Sequence, residues 1–121
     1  MGSVRIDDYS LPVDIRRDEC VRLLDIAISE ARRRGEEMAD AEKDYYVEKA
    51  CVMFDLLNAG HANTFIQSVI KGMPTVAEKM EDFHMKEVLY KNANEAINAY
   101  KLKLRCLQSD LEREWEQAKR M

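Results

Sequence analysis

The sequence predicts an all-α protein: a long helical hairpin with a short connecting helix, its long C-terminal helix lying in a homo-oligomer interface. Three observations carry that reading. The chain has 121 residues with only four glycines and two prolines, so little interrupts helix formation. Apolar residues recur at intervals of three and four along two long stretches, the signature of amphipathic helices. The clear breaks fall at Gly60 and at Gly72, Met73 and Pro74, which leaves room between them for one short helix.

The elements follow in order. Residues 1–12, MGSVRIDDYSLP, form an N-terminal arm expected to hold one extended segment around residues 4–9, and 13–121 form a single helical domain. Asp14 or Asp18 is the expected cap of the first helix. From Val21 onward Leu24, Ala27, Ile28, Ala31, Met38, Tyr45 and Val52 keep the helical period, and the helix reaches about Leu57. Gly35 inside it costs roughly 1 kcal/mol against alanine, so it marks a close helix crossing or a local bend. Gly60 supplies the stop. Asn63 or Thr64 then caps the short helix TFIQSVIK, and Thr75 caps the last helix, read from about Val76 to near the end. Some forty-five residues of helix span ~68 Å, against a diameter of ~30 Å for a globule of this mass. Such a helix needs partners. Its seam reads Phe83, Tyr90, Ala93, Ile97, Tyr100, Leu104, Leu107, Leu111 and Ala118, with Trp115 alongside. The first helix covers part of that seam, and the apolar surface left over predicts a homodimer or higher homo-oligomer.

Composition limits the function classes. With 46% hydrophobic and 35% charged residues, the chain reads as a water-soluble helical domain. A net charge of -4 disfavours duplex nucleic acid and anionic membrane, which are held chiefly by basic surface. The basic residues are nevertheless clustered, so a local anion site stays open. Cys20, Cys51 and Cys106 are odd in number and far apart, which fits a reducing cytoplasm better than a disulfide framework. No signal peptide or spanning segment is read.

Several motifs resolve into ordinary surface. Glu81 and His84 make a Glu-x-x-His pair, but a di-iron site needs a second pair and two further glutamates, which the sequence does not supply. No metal or cofactor is expected. The spacings Glu78-x-x-Glu81 and Glu112-x-Glu114-x-Glu116 resemble the magnesium-binding helices of all-α nucleotide pyrophosphohydrolases, the enzyme-class alternative; solvated charged faces account for them as well. Cys106, beside Leu104 and Leu107, reads as a buried structural thiol. Arg32, Arg33 and Arg34 point about 100° apart on a helix and read as partners of Glu30, Glu36 and Glu37. The catalytic residue set is empty, and the chain is not expected to be an enzyme.

The last helix differs in kind. Phe83 and Tyr90 can stack a base, Asn92 can read its edge, and Arg105 and Arg113 can fork a pyrophosphate. On one straight helix Phe83 and Arg113 lie ~45 Å apart, so one copy cannot build the pocket. Two copies packed antiparallel about a two-fold near Ile97 and Asn98 would bring Phe83 beside Arg113 of the other chain, and Asn92 beside Lys103 to Arg105. The simpler reading, with both rings in the seam and both arginines in surface ion pairs, stays open at this point.

The segments EARRRGEEMADAEKDYYVEKA, FIQSVIKG and VLYKNANEAINAYKLKLRCLQSDLEREW resemble a family of small phage proteins, the anti-Thoeris sponges, over about residues 20–116. That resemblance implies binding without chemistry: a homo-oligomer in the host cytoplasm captures a cyclic ADP-ribose isomer made by a TIR-domain enzyme and withholds it from the Thoeris effector. It implies that Phe83 stacks the adenine, Asn92 bonds to the base edge or a ribose hydroxyl, and Arg105 with Arg113 meets the pyrophosphate, with Tyr90 and Lys91 as secondary lining groups. The resemblance also implies a second, cyclic oligonucleotide site in some relatives; that site stays unassigned, with Arg17 and Arg22 as reasonable suspects. An interaction-class alternative is a coiled-coil phage inhibitor or adaptor that binds a host protein through its acidic helices.

Overall fold

The computed structural model describes residues 4–120. It is all-α: α1 spans Val13–Asn58, α2 Asn63–Val69 and α3 Pro74–Arg120, with a single 3-10 turn at Ile70–Gly72 between α2 and α3. No strand occurs among the described residues, and no helix there is long and apolar enough to cross a membrane.

Each helix begins where the backbone, not a polar side chain, makes the cap. The Pro12 carbonyl accepts from the Arg16 N–H, so α1 starts ahead of Asp14 and Asp18. Both expected caps are therefore inside the helix, where Asp14 in the first turn still suits the positive end of the dipole. At α2 the cap is Ala62, extended at φ −71° and ψ 147° with no side-chain bond, and Asn63 is the first helical residue. Met73 is extended at φ −66° and ψ 131°, as a residue before proline should be, and Pro74 opens α3 at the position where its missing N–H costs nothing. Thr75 is consequently one residue too late to cap.

The end of α1 is as expected, and its geometry is explicit. Gly60 has φ +90°, its N–H donates to Leu57 O, and the His61 N–H donates to Leu56 O. This paired closure needs a left-handed residue, the conformation that glycine reaches without strain.

The chain divides into two compact units, one holding residues up to Ala31 with those from Asn92 on, the other Arg32–Lys91. In the second unit Tyr45, Ile70 and Val76 are buried, with Val52, Met53, Met73, Met80 and Phe83 packed against them. Ile66 is buried too, four residues before Ile70 on the same helical side. The antiparallel helices come close at Gly35, where an added Cβ would lie 2.9 Å from Tyr90 Cε2. Gly35 thus marks a close crossing: the missing side chain admits a tyrosine ring.

In the first unit the buried apolar residues are Cys20, Ala31 and Leu107. The Cys20 thiol donates to Tyr100 O at 3.5 Å, and burial pushes that thiol above its ordinary range. The arm is not extended over residues 4–9. It folds into two turns, closed by Asp8 N–H to Arg5 O and Leu11 N–H to Asp8 O. Asp8 Oδ1 accepts from both the Ser10 N–H at 3.1 Å and the Ser10 hydroxyl at 2.6 Å. Those bonds hold the Asp8 carboxyl below its usual range and favour a turn over a strand.

Candidate functional site

The seam of α3 faces into its own chain. In the second unit Phe83 stacks on Tyr45 with ring centroids 6.3 Å apart, and Tyr90 lies over Gly35; both rings are half-buried. Lys91, exposed, pairs with Glu87 at 3.6 Å. In the first unit Ile97, Tyr100, Leu104 and Leu111 are half-buried around the buried Leu107. Periodicity identified this apolar face, and packing within the chain covers part of it, leaving these residues half-buried.

The polar candidates of the first unit are all exposed. Asn92, Arg105 and Arg113 stand at the surface, and Arg113 donates through one Nη to Asp110 one turn earlier. Arg17 pairs with Asp18 at 3.0 Å, and Arg22 donates through Nε to Glu19 at 2.9 Å. The latter bond lowers the Glu19 carboxyl and raises the Arg22 guanidinium. The structure thus gives Arg17, Arg22 and Arg113 the local ion pairs of a solvated face. In the second unit Arg33 and Arg34 share Glu37 at 2.7 and 3.5 Å.

Lys101, Lys103 and Arg105 behave otherwise. None has a carboxylate within 4.0 Å among the described residues. Lys101 and Arg105 are one turn apart and share a side of α3 with Asn98, at i, i+3 and i+7; all three are exposed. Two cations and an amide on one helical face can hold a phosphate-bearing ligand against solvent. Lys103 points to another side, where its Nζ lies 5.7 Å from the Tyr100 ring centroid.

Two features escaped the sequence. Cys106 is exposed rather than buried, because it lies ~100° from Leu107 and ~160° from Leu104 around the helix. Trp115 is 64% exposed and lines an open groove of about 580 Å³ with Arg17, Gln108, Leu111 and Lys119 among others. The spacing placed Trp115 beside the seam; only the fold shows that α1 leaves its ring open.

Comparison with protein-family models, curated proteins and solved structures found no match.

Proposed function

We propose that the chain captures a cyclic ADP-ribose isomer made by a TIR-domain enzyme and holds it without cleavage, acting as a homo-oligomeric phage anti-defence protein of the anti-Thoeris sponge kind. The observation that carries this reading is the face formed by Asn98, Lys101 and Arg105, whose two cations lack a carboxylate partner among the described residues of an acidic chain. A pyrophosphate brings the missing negative charge, and guanidinium and ammonium groups on one helix turn meet it with little ordering cost. In an antiparallel pairing of two copies about Asn98, Asn92 of one copy comes level with residues 103–105 of the other. Phe83, half-buried against Tyr45, is assigned to base stacking, with Tyr90 and Lys91 as secondary lining groups.

The test is release of ligand. The protein is incubated with the nucleotide products of a TIR enzyme, freed of unbound material and heat-denatured, and the supernatant is analysed. Recovery of intact cyclic ADP-ribose isomer is expected, with at least tenfold less from Lys101→Glu/Arg105→Glu; recovery of a cleaved product, or of none, overturns the reading. Oxidation of an Asn98→Cys variant is expected to cross-link two copies, and a strictly monomeric product argues against the crossing.

A second reading has its own observation. Val47, Ala50, Phe54 and Leu57 recur at three and four on α1 and are all exposed, Phe54 at 67%. An apolar row of this kind suits a helix-in-groove contact with a protein partner. The adaptor reading predicts that no nucleotide is released on heating.

A further inference from the structure

A cavity of about 290 Å³ lies between the arm and the first unit's helices, walled by Ile6, Tyr9, Leu102 and Leu107 and reached by Arg16 and Lys103. Its volume sits at the small end of ligand pockets, ~300–1,000 Å³. Arg16 is unusual for a charged residue in being only 6% exposed. Its Nε donates to Ile6 O at 2.8 Å, and its guanidinium carbon lies 4.5 Å from the Tyr9 ring centroid. No carboxylate lies within 4.0 Å of it among the described residues, and neither Nη group makes a hydrogen bond there. Although the Arg16 side chain is largely buried, its Nη groups are not sealed from solvent, so they are donors that an anion entering the cavity can engage.

The acids nearby are engaged elsewhere. Asp7 and Asp110 also line the cavity, but Asp7 pairs with Arg5 at 3.6 Å and Asp110 with Arg113. Asp8 feels Arg16 only through space, its carboxylate being taken by Ser10. The lining thus carries two cations and two carboxylates, but the carboxylates are paired with Arg5 and Arg113, whereas Arg16 and Lys103 have no carboxylate within 4.0 Å among the described residues. Apolar walls with convergent cations define a site for a small anion that carries an apolar body.

We propose that this cavity binds a small organic anion, a carboxylate or phosphate monoester on a flat apolar group, with Arg16 Nη and Lys103 Nζ meeting the charge and Ile6, Leu102 and Leu107 packing the body. The site is separate from the Lys101 and Arg105 face, because Lys103 leaves α3 on another side. The ring of Tyr9 holds the guanidinium from the arm, so ligand and arm order each other.

The probe is phenyl phosphate, with benzoate as the carboxylate counterpart and benzyl alcohol as the uncharged control, titrated into the full ¹⁵N-labelled chain. Saturable shifts are expected at the amides of Ile6 and Tyr9 and at Arg16 Nε–H, with both anions and not with benzyl alcohol. Arg16→Gln is expected to abolish them, yet it also removes an arm contact, so Lys103→Gln is the deciding variant. It should weaken binding on the order of tenfold while leaving the unliganded arm resonances in place, and Lys101→Gln should not. Absence of saturable arm shifts, equal shifts with benzyl alcohol, or unchanged affinity in Lys103→Gln overturns the proposal. The nucleotide-release experiment does not depend on this outcome, since it reads the other face of α3.

Discussion

The two units are built from the same two helices and close in opposite ways. In Arg32–Lys91 the hairpin is sealed by apolar groups: Ile66, Ile70 and Val76 are almost fully buried, Phe83 stacks on Tyr45, and Tyr90 fills the gap that Gly35 leaves. In the other unit the residues taken from solvent include a thiol and a guanidinium, Cys20 and Arg16. Its arm is held by a carbonyl and a ring rather than by an apolar plug. Close packing tolerates few alternatives, whereas a polar closure can accept a ligand at modest cost. The apolar unit holds the candidate stacking rings Phe83 and Tyr90, and the polar unit holds the cations Lys101, Lys103 and Arg105, unpaired among the described residues.

That contrast is broken most severely from inside the apolar unit. Ile70→Ala should destabilise Arg32–Lys91 by about 2–4 kcal/mol, seen as lost amide-exchange protection around Tyr45 and Val76; a loss below 0.5 kcal/mol would mean that this core does not hold the unit. The close crossing comes next. Gly35→Ala alone should destabilise by about 1–2 kcal/mol through contact with the Tyr90 ring. In a Tyr90→Ala background the same change should stabilise by about 1 kcal/mol, because alanine is the better helix former. Urea denaturation of the four-member cycle reads the change of sign, and additivity would show that the two positions do not touch.

The polar unit gives smaller effects. Burial raises the Cys20 thiol above its ordinary 9.0, so the protonated form is favoured in the folded state. Its contribution to stability is complete below the unfolded value and is lost as pH rises toward the folded one. Urea midpoints should therefore fall between pH 8 and pH 10 by more in the native chain than in Cys20→Ala, and parallel curves would remove the thiol from the account. Smallest of all is Arg113→Gln, whose exposed pair with Asp110 should change stability by less than about 0.5 kcal/mol. A larger loss would give this pair a structural role in the first unit.

How much of this was readable beforehand depends on distance along the chain. The stop at Gly60 and the break before α3 were legible because glycine and proline act on their own backbone. The caps at Asp14, Asn63 and Thr75 were misplaced because neighbouring prolines and extended residues set the helix starts. The turn chemistry of Asp8 and Ser10 was present in the arm, although the expectation for residues 4–9 was an extended segment. For the candidate site, the exposure of Asn92 and Arg105 followed from their places off the seam. The burial of Arg16 and the free ring of Trp115 did not, because each depends on residues far away in sequence, whereas the exposure of Cys106 follows from its angle to Leu104 and Leu107 on its own helix.

The sequence by itself determined the helices, their breaks and the apolar side of each, since those follow from local propensity and a period of three and four. Tertiary structure decided what meets that apolar side. Periodicity marks a face without naming its partner, and here α1 of the same chain takes the seam at Cys20 and Tyr100 in one unit and at Gly35 and Tyr90 in the other. It also decided which cation faces a cavity. Arg113 and Lys103 are alike as cations in a helix, yet one finds Asp110 a turn away and the other faces a cavity with Arg16, because ion pairing depends on geometry that composition does not contain.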